Sequence, residues 1–495
     1  MGLLLARASR NSCSLALLLA MACAVAARAA AEDGVPAGIS KVVAEVDAGR
    51  FREAERDIAA GLANPRLEAG QTQAFAFQRE RMRRIRLDFP LAVADVQDRL
   101  RKLVPDLTPG DIPRWDAANL LEHQDIDGKR WYFARAISNL FLLSSEAAAR
   151  RQPPLVSTSG PMETPNRHHR EVIDEALASG HSSVTPRHIQ VTYSLTVNAD
   201  AVPAGETVRA WLPFPRELSG QQDAIRLVAS VPAGAKLAPA DALQRTAYLE
   251  QPARAGSKTA FSITYEVTTY GQYHPIDPDR VSTGPLAPEL APYTGERAPH
   301  IVFTDAMRLF SLGVVGDEKN PYRIAQKLFA AVDRTPWAGA REYSTISNIS
   351  DYALHAGHAD CGQQTLLLMT LLRLNGIPTR WQSGWIFSDG DYNDMHDWGW
   401  LYLAPYGWVP MDVTFGRFDT GDPALDWFYL GGLDAYRIAF NDDFSQELVP
   451  AKQHFRSETV DSQRGEVEWK GGNLYFDQWD YTFKWKLLPD LGIRQ

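Results

Sequence analysis

The chain has 495 residues, more than one hydrophobic core normally serves, so several domains are expected. Hydrophobic residues make up 45% and charged residues 22%, the balance of a soluble globular protein, which argues against disorder outside linkers. A formal charge of −9 at pH 7 argues against nucleic acid or anionic lipid as a partner.

Arg7 and Arg10 precede an apolar run, Leu15 to Ala26, that is too short to span a bilayer. Ala27-Arg28-Ala29 and Ala29-Ala30-Ala31 offer small-residue cleavage sites, so residues 1–31 read as a signal peptide. Its removal takes away Arg7, Arg10 and Arg28 and no acid, which moves the charge from −9 to −12. Cys13 and Cys23 leave with it, so Cys361 stands alone in the mature chain with no disulfide partner. Cys23 is the candidate for lipidation, but Ala20 and Met21 before it match a lipoprotein motif poorly. The mature protein is expected to be exported to the periplasm or beyond the cell, with no membrane insertion after cleavage.

Residues 32–150 read as an α-helical domain. Ile39, Val42, Val43 and Val46 form one apolar stripe, and Phe51, Ala54, Ile58 and Leu62 form the next. Arg79, Arg81, Arg83, Arg84 and Arg86 lie on the following helix with Glu80 and Asp88 interleaved, the pattern of a solvated face rather than an anion site. Trp115 and Trp131-Tyr132-Phe133 are expected to pack this unit. Residues 151–187, rich in Pro, Ser, Thr and His, read as a linker carrying one short helix. Its histidines are too loosely spaced to argue for a metal.

The period then changes to two. Ile189, Val191, Tyr193, Leu195 and Val197 alternate with polar residues, as do Phe261, Ile263, Tyr265 and Val267, so 188–275 is expected to be a β-sandwich-like domain. Asn320-Pro321 starts a helix with a buried stripe of Ile324, Leu328 and Val332.

Asp360-Cys361-Gly362-Gln363-Gln364 leads into an apolar run to Leu374, closed by Asn375-Gly376 and Pro378, which reads as a buried helix with a glycine after its end. Cys361 thus stands at a helix N-terminus, where free backbone N–H groups and the helix dipole favour a thiolate. Met395-His396-Asp397-Trp398 and the aromatic residues to Leu403 read as one strand, Pro405-Tyr406-Gly407 as a turn, and Trp408 to Asp412 as the next strand.

A Cys on a helix, a His on one strand and an Asp on the next is the order of transglutaminase-like, papain-type cysteine enzymes. The local words also match: Cys361 and its leucine helix, Gly376-Ile377-Pro378-Thr379-Arg380, His396 with Trp398, and Gly407-Trp408 leading to Asp412. The chain resembles an exported bacterial transglutaminase-like protein, best over 361–412 and more loosely over 290–425. The resemblance implies a Cys361–His396–Asp412 triad acting on an amide or ester carbonyl through a thioester, with no cofactor. It favours peptidase or amidase action over cross-linking of proteins. True transglutaminase activity, with an amine as acceptor, and a non-catalytic binding or scaffold module remain as alternatives. Peptides, protein side chains and wall-linked isopeptides all suit as substrates. The family places an aromatic residue or Gln ahead of the nucleophile; Trp337, 24 residues before Cys361, is the candidate oxyanion donor or else a core residue.

His355, His358, Cys361 and His396 can instead be drawn as a zinc site, but that reading leaves Asp412 without a role. Asp389 to Asp394 faintly resembles a calcium loop, with Asp at its sixth position and no Glu at its twelfth, and reads better as a polar hairpin tip at the mouth of the cleft. Beyond 425, Trp427, Trp469, Trp479, Tyr481, Phe483 and Trp485 make 426–495 a β-rich aromatic C-terminal extension, either core or a sugar platform. The expected whole is a multidomain α+β protein: helical unit, β-sandwich-like domain, transglutaminase-like catalytic domain at 290–425, and the aromatic extension.

Overall fold

Residues 38–154, 160–388 and 392–489 are described by the computed structural model. The expected signal peptide, Cys13 and Cys23 lie outside them, as do Asp389 to Asp391 of the calcium-like loop. The fold is mixed α+β. The chain divides into a first unit, reaching Arg86 and taking in Gln124–Arg130, and a second, Leu87–His123 with Trp131 onward.

In the first unit, the helices Ile39–Asp47 and Phe51–Leu62 bury Ile39, Val42, Val46, Phe51, Ala54 and Ile58 on the stripes their spacing sets. The Phe75 ring fills the place a side chain at Gly61 would take, its nearest carbon 2.5 Å from that Cβ position. The arginine run is not a fully solvated face. Arg81 and Arg84 are buried, Arg81 on Asp47 at 2.5 Å and Arg84 on Glu80 at 3.1 Å. Each buried guanidinium therefore has a carboxylate to offset its lost hydration, which helical periodicity does not reveal.

In the second unit Trp115, Tyr132 and Phe133 are buried, and the helix α1 (Ala136–Leu143) turns Ala136, Ile137, Leu140 and Phe141 inward. The described part of the expected linker contains a packed element. Its helix α2 (Arg167–Ser179) is capped by Asn166 and buries His168, His169, Val172 and Ile173. The chain then runs straight into strand β1 (Ser183–Val197).

Two five-stranded sheets follow. In the first, β1 pairs with β2 (Thr259–Tyr273), Val191 opposite Tyr265 and Tyr193 opposite Ile263, so the period-two residues share one buried face. The second contains Thr207–Pro213 paired with Thr246–Pro252. Phe214 meets Tyr265 edge-on, with ring centroids 5.4 Å apart, joining the two cores. The C-terminal aromatic segment supplies strands to both sheets. Trp479–Leu487 pairs along β1, and Glu466–Trp469 pairs with Thr207–Pro213. Its rings serve as core: Phe483 stacks on Trp385 at 4.3 Å, and Trp485 lies 5.0 Å from Phe387.

The region of the candidate site is built on α3 (Pro321–Asp333), α4 (Cys361–Leu374) and a four-stranded antiparallel sheet. The sheet runs β4 (Gly407–Met411), β3 (Asn393–Leu403), Thr379–Phe387 and Arg437–Asn441 in that spatial order. Asn320 caps α3 and Pro321 opens it, as expected. A Cβ at Gly384 would sit 1.8 Å from the Ile438 carbonyl oxygen, so this strand crossing needs glycine.

Candidate active site

Asp360 and Gln363 form a reciprocal capping box: the Asp360 carboxylate accepts from the Gln363 N–H at 3.1 Å, and Gln363 Oε1 accepts from the Asp360 N–H at 3.2 Å. Cys361 is therefore the first helical residue of α4, half-buried, while Gly362 to Arg373 are fully buried. Gly376 closes the helix in the left-handed conformation, with φ 74°.

Strand β4 pairs with β3 from Leu403 back to Gly399 and stops there. The edge of β3 at His396 and Asp397 is thus left to α4, whose Thr365 hydroxyl donates to the Asp397 carbonyl at 3.3 Å. Consecutive strand residues point to opposite faces. On one face, the Cys361 thiol donates to Asp397 Oδ2 at 3.2 Å, and Gln463 donates to Asp397 Oδ1 at 3.0 Å. The Tyr343 hydroxyl donates to Asp360 at 2.8 Å and reaches Asp397 at 3.5 Å. Gly362 makes this closure possible, since a Cβ there would stand 2.2 Å from the Tyr343 oxygen and 2.7 Å from Asp397 Oδ2.

On the other face, His396 Nε2 meets Asp412 Oδ2 at 2.7 Å, and the imidazole stacks on Phe415 with centroids 4.6 Å apart. With Nε2–H given to the carboxylate, Nδ1 is the acceptor nitrogen. Arg437 also reaches Asp412 Oδ2, at 2.9 Å, and holds Asp434 at 2.5 Å. The Tyr429 hydroxyl donates to Asp434 at 3.2 Å and lies 2.9 Å from His169 Nε2. The structure thus joins His396 to Asp412 and Cys361 to Asp397; among the described residues no hydrogen bond joins Cys361 to His396.

Cys361 opens on a cleft of about 220 Å³ lined also by Trp337, Tyr343, Asp360, Asp394 and Asp397. Trp337 is 48% exposed, so it is not a core residue. Its neighbour Ala338 donates to the Ala359 carbonyl at 3.2 Å, which fastens this loop two residues before the cysteine. Asp394, at the tip of the expected hairpin, is in the cleft wall.

Residues 309–413 match the family model of the transglutaminase-like superfamily. The chain contains a transglutaminase-like domain. The match takes in Cys361 and His396 and ends one residue past Asp412. Among solved structures the chain is similar to a candidate cysteine protease from Cytophaga hutchinsonii, at 13% identity over 62% of this chain and 93% of that one, with a TM-score of 0.41. It is also similar to the periplasmic domain of TgpA from Pseudomonas aeruginosa, at 14% identity over 49% of this chain and 91% of that one, with a TM-score of 0.25. A search of curated proteins finds no match.

Within the transglutaminase-like domain, the thiol is not poised as the helix N-terminus alone suggests. Burial pushes the Cys361 thiol well up, and the carboxylates of Asp397 and Asp360 push it further. Burial likewise raises Asp360 to about 6 and, together with Asp461 beside it, raises Asp397 far above the usual carboxylate range. For Asp412 burial works upward, but His396 and Arg437 outweigh it and hold the carboxyl below its ordinary value. Asp434 is held down to about 2 against its own burial, by Arg437 first.

The residues of the zinc alternative do not converge. His355 turns to the Asp351 carbonyl, His358 lies 3.8 Å from Glu122, and among the described residues no group of three or more ligand side chains could hold a metal.

Sequence reading passed over Asp397, Arg437 and Asp434. Asp397 carried one signal, a carboxylate between His396 and Trp398 in an otherwise aromatic strand. Asp434 and Arg437 stood as charges flanked by an apolar run, Ile438-Ala439-Phe440.

Proposed function

We propose that the transglutaminase-like domain is a cysteine acyl-transfer enzyme in which Cys361 is the nucleophile, His396 the base and Asp412 its orienting partner. One observation carries this reading. The Cys361 sulfur is bonded to Asp397, the strand residue next to a histidine already engaged through Nε2 by a buried aspartate. The nucleophile and the His–Asp pair are therefore held by adjacent residues of one strand, on its two faces.

Catalysis requires the Cys361 sulfur to exchange Asp397 for His396 Nδ1, which makes no hydrogen bond among the described residues, so the side chains of the two strand faces must first come into contact. Nδ1 takes the thiol proton, and the sulfur attacks the carbonyl carbon as the C=O electron pair moves to oxygen. The Cys361 backbone N–H and the indole N–H of Trp337 receive the developing charge. The tetrahedral species collapses, the C–N bond breaks, and the imidazolium gives its proton to the departing amine. Water, deprotonated by His396, then attacks the thioester, releasing a carboxylate and restoring the thiol. An amine in place of water would make the protein a transglutaminase. Hydrolysis of a peptide, a protein side-chain amide or a wall-linked isopeptide outside the cytoplasm is the reading preferred here.

The same Cys361–Asp397 bond favours one second reading, a binding module whose thiol is kept protonated and idle. Labelling with iodoacetamide across pH, scored by the mass of the Cys361 peptide, separates the two. Under the enzyme reading His396 takes the thiol proton, so His396→Ala slows labelling of Cys361 and moves its pH profile upward. Labelling confined to alkaline pH and indifferent to His396→Ala would sink it. Release of product in the presence of a labelled amine then tells hydrolysis from transamidation.

A further inference from the structure

Most charged groups around the Cys361 cleft are occupied by one another. Arg464 pairs with Glu342 at 3.0 Å, Arg341 donates to the Thr345 carbonyl at 3.1 Å, and Asp397 is taken by Cys361 and Gln463. Arg135 is the exception. It lines the cleft, it is exposed, and its guanidinium makes no hydrogen bond or ion pair among the described residues. Five N–H donors in a planar fork thus line the same cleft as the nucleophile, a donor set that suits a carboxylate.

The seat of this side chain is built. Asn139, one turn along α1, is buried and grips the backbone of Gly339 from both sides, donating to its carbonyl at 2.9 Å and accepting from its N–H at 3.1 Å. Gly339 belongs to the loop that carries Trp337 and Tyr343 into the cleft. A Cβ at Gly339 would stand 2.8 Å from Arg135 Cδ and 2.9 Å from its Nη1. The missing side chain is the space through which the arginine reaches the cleft. Asp360 and Asp394 both lie within its electrostatic reach.

We propose that Arg135 anchors a substrate carboxylate, so that the cleft takes acyl donors carrying a free carboxylate close to the carbonyl that Cys361 attacks. This rests on Cys361 being the site of chemistry, and it adds the class of substrate. Terminal and side-chain carboxylates share the required chemistry.

The test compares two alkylating probes of nearly equal size, anionic iodoacetate and neutral iodoacetamide, on the full chain, reading the Cys361 peptide by mass. The expected result is that the ratio of iodoacetate to iodoacetamide rates falls roughly tenfold in Arg135→Gln, the effect of removing one charge a few ångströms away at intermediate dielectric. Arg135→Lys should restore most of the ratio, and high salt should erase it. Gly339→Ala, which pushes the guanidinium aside without changing charge, should give an intermediate fall.

Acetylglycine and N-acetylglutamate α-amide, each against its fully amidated counterpart, then compete with iodoacetamide. Protection by the first points to a terminal carboxylate, and by the second to a side chain. An unchanged ratio in Arg135→Gln, or equal protection by acids and amides, overturns the proposal. The two readings fail separately. Slow labelling indifferent to His396→Ala counts against acyl transfer, yet the probe ratio is still measurable at alkaline pH.

Discussion

Replacing Arg437 with Met tests how the His396–Asp412 pair is held. Arg437 is 4% exposed and bridges Asp412 and Asp434, which are 0% and 1% exposed. Met fills similar volume with no charge, leaving buried Asp434 without its cation and Asp412 with His396 alone. Breaking a buried pair in this way costs about 3–5 kcal/mol at neutral pH. At about 2 °C per kcal/mol for a large domain, the melting temperature should fall by roughly 6–10 °C.

The pH dependence gives the sharper signature. In wild type both carboxyls sit below their unfolded value of about 3.9, Asp434 at about 2. The unfolded chain therefore binds more protons between those values. The stability these groups contribute is full above pH 4 and is lost as pH falls toward 2. In Arg437→Met, Asp434 loses the cation that chiefly opposes its burial and its carboxyl shifts upward, while His396 still faces Asp412. The folded state then keeps protons that the unfolded state has released, so the variant loses stability as pH rises above 4.

His168 and His169 also face Asp434, but burial holds both down, His169 to about 4, so neither replaces the arginine cation at pH 7. Melting by calorimetry should show a large deficit at pH 7 that narrows by pH 4.5. Adding Asp434→Asn should recover part of it. A deficit equal at both pH values, or none at all, would refute the claim that Arg437 acts by compensating buried charge.

Asp397→Asn removes the carboxylate that raises the Cys361 thiol, so the pH midpoint of iodoacetamide labelling should move down; an unmoved midpoint would mean that burial alone sets it. Gly362→Ala drives a methyl into the Tyr343 oxygen and Asp397, and should cost about 1–3 kcal/mol in thermal melts, relieved in part by Tyr343→Phe. Trp385→Ala deletes the ring stacked on Phe483 and should cost about 3–5 kcal/mol. A smaller loss would mean that the C-terminal strand contributes little to the core.

Elements whose signals are local were legible in the chain itself. The glycine after α4, the Asn320-Pro321 helix start and the alternation of Ile189 to Val197 each need only neighbours within a few residues, and backbone sterics and solvent do the rest. The same holds for the placement of Cys361 at a helix start and of His396 on a strand. Charge relations across long separations were not legible. The arginine run looked solvated because nothing local ties Arg81 to Asp47. The linker and the aromatic extension looked separate because the pairing of β1 with Trp479–Leu487 spans nearly 300 residues.

The state of the thiol depended on tertiary structure most of all. A helix N-terminus lowers a thiol's pKa by a field that acts along one element. Folding brings burial and the Asp397 carboxylate to the same sulfur, beside the adjacent Asp360, and in a medium that screens poorly these raise the thiol.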